Sequence, residues 1–203
     1  MVRNIVTDVF RRCKEAVGPS PKADPYKEEV TRYLNEYLKK HGSHPEADAV
    51  LPQMEGTGLD IGCGHSKTKP DAIGVDLTAG TNPGKYGCEE GHISQADVRA
   101  NGDSLPFKTG SLDYIVARHN LEHYQDVVKT LHEWARVLRK GGTLTLVLPD
   151  DTDCDTIHLD PTHKHVFTPK SWRNLVNLLN EFGIERVETC IPHWSFSTVL
   201  RRK

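Results

Sequence analysis

Five short apolar runs constrain this fold more than any other feature of the sequence. They are TGLDI (57–61), AIGVDL (72–77), HISQADV (92–98), LDYIVARH (112–119) and TLTLVLP (143–149). Their length and their Ile, Val and Leu content mark them as strands. The connections between them are too long for tight hairpins. One connection, 126–139, is helical: Val128, Leu131, Ala135 and Leu138 share a face, Asp126 suits the N-cap, and Gly141-Gly142 is the expected stop. Strands joined by crossovers run parallel, with right-handed connections. A further helix is expected from Thr168-Pro169, carrying Trp172, Leu175, Val176, Leu179 and Phe182 before Gly183. Two last runs, IERVETCI (184–191) and SFSTVL (195–200), are close enough in sequence to form an antiparallel hairpin.

The chain ahead of these strands reads differently. Residues 3–17 have helical spacing, and a Pro-rich connector follows. A second helix is expected with Asp24 as N-cap, Pro25 at its first position, a Val30, Leu34 and Leu38 stripe, and Gly42 at its end. Residues 43–56 read as loop. The expected division is therefore 1–56, N-terminal helices, and 57–203, an α/β core.

Composition narrows the partners. The 26 Lys and Arg against 28 Asp and Glu give a net charge of −2. No broad basic surface is available to neutralise phosphates, so nucleic acid is not an expected partner. The five Cys form no CxxC pair, which points to reduced thiols. No stretch approaches a membrane-spanning run, and the N-terminus lacks a secretory pattern. The expectation is a cytoplasmic protein with no membrane contact.

The strongest local signal is LDIGCGHS, residues 59–66. A strand carrying Asp60 runs into Gly62-x-Gly64, where glycines permit a sharp turn and close approach of a ligand. The next strand ends at Asp76, placed to accept both hydroxyls of a ribose. Asp97-Val98 is read as the end of the third strand. A nicotinamide fingerprint needs a third glycine where Lys67 stands, and so it fails. An adenosine cofactor without phosphates matches better.

At these residues the chain resembles the class I S-adenosylmethionine-dependent methyltransferases. The resemblance covers about residues 57–200. It rests on LDIGCGHS, IGVDL, ADV with LPFKTGSLDYIVARHNLEH, and RVLRKGGTLTLVLPD, with DPTHKHVFTPKSW further on. It implies a Rossmann-like, doubly wound, mostly parallel sheet of seven strands, order 3-2-1-4-5-7-6, with strand seven antiparallel. It also implies roles around S-adenosyl-L-methionine and its product S-adenosyl-L-homocysteine. Gly62 and Gly64 would lie against the methionine part and Asp60 would anchor its amino group. Asp76 would bind the ribose and Leu77 would touch the adenine. Asp97 would meet the adenine amino group beside Val98. Arg118 and His119 would border the sulfonium and its methyl group.

Two departures stand out. Ser66 replaces the third motif glycine, and HSKTKPD replaces the first helix of the core. His65, Ser66 or Lys67 would then serve as donors to the methionine carboxylate, or form a plain polar loop. For a proton acceptor the sequence offers His123, in NLEH after strand four, with a packing role as the alternative. The Asp- and His-rich loop 150–165 reads as a polar cover over the acceptor pocket, with a divalent-metal site as the alternative, and no metal ligand is assigned there. The N-terminal helices are expected to cover the cofactor and shape that pocket. The function implied is methyl transfer to an O or N atom, on a small-molecule acceptor, by a monomer or homodimer. RNA or protein methylation, and cofactor binding without catalysis, are the alternatives.

Overall fold

The computed structural model describes residues 26–78, 80–81 and 91–203. A seven-stranded sheet forms its centre: β1 (Gly58–Ile61), β2 (Ile73–Asp76), β3 (Val98–Arg99), β4 (Leu112–Arg118), β5 (Leu138–Pro149), β6 (Phe182–Ile191) and β7 (Ser195–Arg202). The strand order is β3-β2-β1-β4-β5-β7-β6. The first five strands pair in parallel, while β7 runs antiparallel to both β5 and β6. This is the mostly parallel, doubly wound α/β sheet expected from the sequence.

Helices α1 (Lys27–His41), α2 (Pro45–Val50), α3 (Val127–Val137), α4 (Thr156–Leu159) and α5 (Pro169–Leu179) surround the sheet. Strand alternation sorts the core into two layers. Ile115 and Ala117 of β4 join Leu131 and Trp134 of α3 and Trp172 of α5. Tyr114 and Val116 join Val30 and Leu34 of α1 and Val50 of α2. The N-terminal helices thus close one face of the sheet. Val30 and Leu34, one turn apart, are fully buried there, each stabilising by about 1.5–3 kcal/mol.

Several boundaries depart from expectation. The helix expected over 3–17 and the Asp24-Pro25 start lie outside the described residues. Within them, α1 begins at Lys27 with Tyr26 at its N-cap, and Gly42, at φ 73°, closes it as expected. Residues 43–56 are not plain loop: Pro45 opens α2, and a 3-10 turn follows at Leu51–Gln53. Helix α3 stops at Val137, before the glycines, because Leu138 already pairs with Leu112. Helix α5 ends at Asn180, in the left-handed region at φ 56°, and Phe182 belongs to β6. The third strand is reduced to two residues. Asp97 lies ahead of it rather than at its tip, and Val98 pairs with Val75.

Candidate active site

Strands β1, β2 and β4 end at the same side of the sheet, and their tips build one site. Beyond β1 the chain turns through Gly62 and Gly64, both in the left-handed region at φ 70° and 50°. The Gly62 N–H donates to Val75 O at 2.8 Å. A Cβ on Gly62 would collide with the Asn120 side chain, so glycine is required there by a packing contact as well as by φ. No helix links β1 to β2; residues 62–72 form a succession of turns, as the sequence implies.

The turn is fastened by carboxylates. Asp76, the last residue of β2, accepts Gly64 N–H at 3.0 Å and Thr78 N–H at 2.8 Å. Asp60 sits within β1, buried, and accepts Thr68 N–H at 2.6 Å. Burial pushes its carboxyl above the usual range, with Arg118 and Thr68 opposing that rise. Burial and the Asp60 and Asp76 carboxylates also push the Cys63 thiol up to about 12, which makes it unreactive. Asp97 does something else. It accepts Gly74 N–H at 2.8 Å and pairs with Lys67 Nζ at 2.9 Å, so it ties β2 and the glycine loop together. These bonds hold its carboxyl below the usual range. Leu77 is exposed just past the β2 tip, and Arg99 Nε donates to its carbonyl. His65 leans against His92, their ring centres 4.2 Å apart.

The tip of β4 supplies the other wall. Arg118 Nη2 donates to Ser66 O at 2.9 Å, which fixes the guanidinium against the glycine loop. Its Nε is buried and has no hydrogen-bond partner among the described residues, and neither has Asn120 Oδ1, also buried. A buried donor and a buried acceptor, both unpaired, thus stand beside the turn. Buried groups of this kind are uncommon and call for a partner.

His119 follows, in the left-handed region at φ 46°. For a non-glycine residue this costs about 1–3 kcal/mol and is found where surrounding structure enforces it. Here its N–H donates to Val147 O and its Nε2 meets Glu46 Oε1 at 2.8 Å. Glu46 comes from α2 and also accepts Ser195 Oγ at 2.6 Å. Burial opposes the His119 charge, but Glu46 and Glu122 outweigh it and raise the imidazole to about 10. Burial would likewise raise the Glu46 carboxyl, yet His119, His44 and Ser195 hold it well below the usual range. His119 is therefore a cation at neutral pH. His123 ends a 3-10 turn, Leu121–His123, with Nδ1 at 3.1 Å from Thr162 Oγ1.

Residues 59–146 match the family model of a methyltransferase domain. An uncharacterized methyltransferase of Bacillus subtilis (strain 168) is 32% identical over 133 residues, covering 57% of this chain and 53% of that protein. Residues 59–146 are thus similar to a methyltransferase domain. The chain spans about half the length of that curated relative. Solved methyltransferases share the fold. One from Aquifex aeolicus superposes with TM-score 0.57 at 14% identity, covering 90% of this chain and all of the other. Geranyl diphosphate C-methyltransferase from Streptomyces coelicolor A3(2), crystallised with Mg2+, geranyl diphosphate and S-adenosyl-L-homocysteine, gives 0.59 at 13% identity, covering 91% and 100%.

The donor set of this site fits S-adenosylmethionine. That cofactor carries an ammonium, a carboxylate and a ribose diol. The site holds buried carboxylate and amide oxygens at Asp60 and Asn120, the unpaired Arg118 Nε, and Asp76 at the β2 tip. Of the residues the sequence singles out, the structure brings together Asp60, the glycines, Asp76 and Arg118. The sequence does not single out Asn120, Glu46 or Ser195. Glu46 lies 73 residues before His119, and only the Pro45 helix start marked its segment.

Proposed function

We propose that this chain transfers a methyl group from S-adenosyl-L-methionine to an O or N atom of a small-molecule acceptor. The observation that carries the reading is the pair of unpaired buried atoms, Arg118 Nε and Asn120 Oδ1, beside the Gly62–Gly64 turn. A zwitterionic amino acid offers the carboxylate and the ammonium that would complete them. In this reading Asp60 and Asn120 hold the ammonium, and Arg118 holds the carboxylate. Asp76 takes the ribose hydroxyls and Leu77 and Val98 border the adenine. Gly62, Gly64, His65 and Ser66 form the floor.

When bound, the cofactor supplies an electrophilic methyl carbon on a sulfonium. The residues of this chain align the acceptor and shield the site. The cationic His119 has no lone pair with which to remove an acceptor's proton. For proton removal the reading looks to His123, one short turn further along. Packing of α1 and α2 over β4 and β5 brings Glu46 to His119 at the β4 tip. No helix among the described residues is long and apolar enough to cross a membrane.

Calorimetry with S-adenosyl-L-homocysteine tests the first half. One site per chain is expected, and a folded chain that takes up none overturns the reading. Turnover of a panel of hydroxyl and amine acceptors tests the second half. Binding without any turnover would instead favour a protein that holds the cofactor without catalysis.

A further inference from the structure

We propose that Glu122, His123 and His163 bind a divalent first-row metal ion on the acceptor side of the β4 tip. Glu122 is fully buried, and neither of its carboxylate oxygens has a hydrogen-bond partner among the described residues. A carboxylate shut away from water without donors is strongly disfavoured unless a charge compensates it. The groups that face it are imidazoles. His123 Nε2 and His163 Nε2 each lie 3.9 Å from Glu122 Oε1. The His119 cation, with Nδ1 at 3.7 Å, offsets part of this charge, and its Nε2 is paired with Glu46. These separations are too long for hydrogen bonds. One ligand atom from each of Glu122, His123 and His163 falls within 4.8 Å of the others. A tetrahedral ion with bonds of about 2.0–2.1 Å holds its donors about 3.3 Å apart, so small side-chain rotations close the set.

The far side of each imidazole is already arranged for ligation. Thr162 Oγ1 gives its proton to Asp160 Oδ1 at 2.6 Å, so it can only accept from His123 Nδ1. Thr156 Oγ1 gives its proton to Asp151, at 2.9 Å, and accepts from His163 Nδ1 at 3.3 Å. Both Nδ1 atoms are therefore the protonated ones in the neutral rings. Both Nε2 lone pairs are left for a metal, which is how ligating histidines are usually oriented. The loop is also strapped in place: Lys164 N–H donates to Glu122 O at 2.8 Å. The ligand pair from the NLEH turn and the ligand from the 150–165 loop are thus held at one point.

Two imidazoles and one carboxylate suit zinc, iron(II) or manganese(II) better than calcium or magnesium. Three protein ligands leave an open coordination position. Resting on the methyltransferase reading, that position takes the acceptor's hydroxyl or amine and makes it more acidic. His123 then acts as a ligand of the ion, in place of a free base. The 150–165 loop becomes part of the site rather than a plain cover.

Cobalt(II) titration of chelator-treated protein tests this, with zinc uptake measured after dialysis. About one ion per chain is expected, with visible absorption bands of a low-coordinate cobalt centre. Glu122→Gln, His123→Ala and His163→Ala should each weaken uptake by at least about tenfold. His163→Ala, in a surface loop, keeps the test interpretable should Glu122→Gln fail to fold. No saturable uptake by the parent chain overturns the site, as does uptake unaltered in all folded variants. Titration with S-adenosyl-L-homocysteine separates the two readings. Cofactor binding with no metal uptake overturns the site and leaves the methyltransferase reading standing. Metal uptake weakened by these variants, without cofactor binding, upholds the site and removes the methyltransferase reading.

Discussion

The two halves of the candidate site use acidic residues in opposite ways. At the β1–β3 end, Asp60, Asp76 and Asp97 each accept a backbone N–H from a turn or neighbouring strand. The carboxylates shape the loop that a ligand would touch. At the β4 end, Glu46 binds a histidine and a serine hydroxyl, and Glu122 has no hydrogen-bond donor among the described residues. Here the Glu46 charge is compensated by side chains arriving from distant segments. The first half is held by local backbone geometry and needs little from the rest of the chain. The second depends on α2, the 150–165 loop and β7 all being in place. The glycine turn is built within one stretch of sheet and meets β4 through Arg118 and Asn120, whereas the Glu46 and Glu122 cluster requires the whole fold to close.

The largest test of that contrast is Glu46→Ala. It leaves the cationic His119 buried without its partner and frees Ser195. Removing one member of a buried ion pair costs about 3–5 kcal/mol. Urea unfolding should show a loss of this size, with the thermal midpoint falling by about 6–20 °C. A loss under about 1 kcal/mol would mean that the N-terminal cover is not locked to β4 through this pair. Asp76→Ala probes the other half. It should weaken S-adenosyl-L-homocysteine binding by about 1.5–3 kcal/mol, the worth of charge-assisted hydrogen bonds, read by calorimetry. Its effect on urea unfolding should be smaller than that of Glu46→Ala. The reverse ranking would dissolve the distinction between the two halves.

The same contrast explains what could be read in the sequence. Apolar runs announced β1, β2, β4 and β5, because strands buried on both faces carry continuous Ile, Val and Leu. The glycine turn was legible because its residues are adjacent in the chain. Strand β3 was overread: HISQADV alternates like a strand, but only Val98 and Arg99 pair, and Asp97 is left at the entrance. Helix α2 is too short to show an apolar stripe, so Glu46 stayed hidden within an apparent loop. Glu122 was visible in NLEH, but its burial and its meeting with His163 are products of tertiary structure. Residues that act through distant partners leave no local pattern.

An intermediate effect should appear with pH. His119 is raised from 6.5 to about 10 in the folded chain. Its proton then stabilises the fold fully below pH 6.5, and this contribution is lost as pH rises through 10. Glu46 works in the other direction: its contribution is present above its ordinary value of 4.5 and is lost as pH falls below that. The thermal midpoint should therefore decline steadily from pH 7 to 10. In Glu46→Gln the decline over that range should flatten, since the charge that holds the His119 proton is gone. An alkaline slope unchanged in Glu46→Gln would assign it to another group.

The smallest expected effect sharpens the cofactor half. Asp97 lies level with Gly74, ahead of β3, while the chain that leaves the strand's carboxyl end carries Ala100 and Asn101. Its carboxylate already satisfies the buried Gly74 N–H and the Lys67 ammonium. Asp97→Ala should cost about 1 kcal/mol of stability, at the low end for an unpaired backbone N–H because water reaches this edge of the sheet. Affinity for S-adenosyl-L-homocysteine should stay within about twofold. If affinity instead falls as far as in Asp76→Ala, Asp97 reaches the adenine despite its position. The local bonding of this half would then also serve the ligand directly, as the charges at the β4 tip are proposed to do.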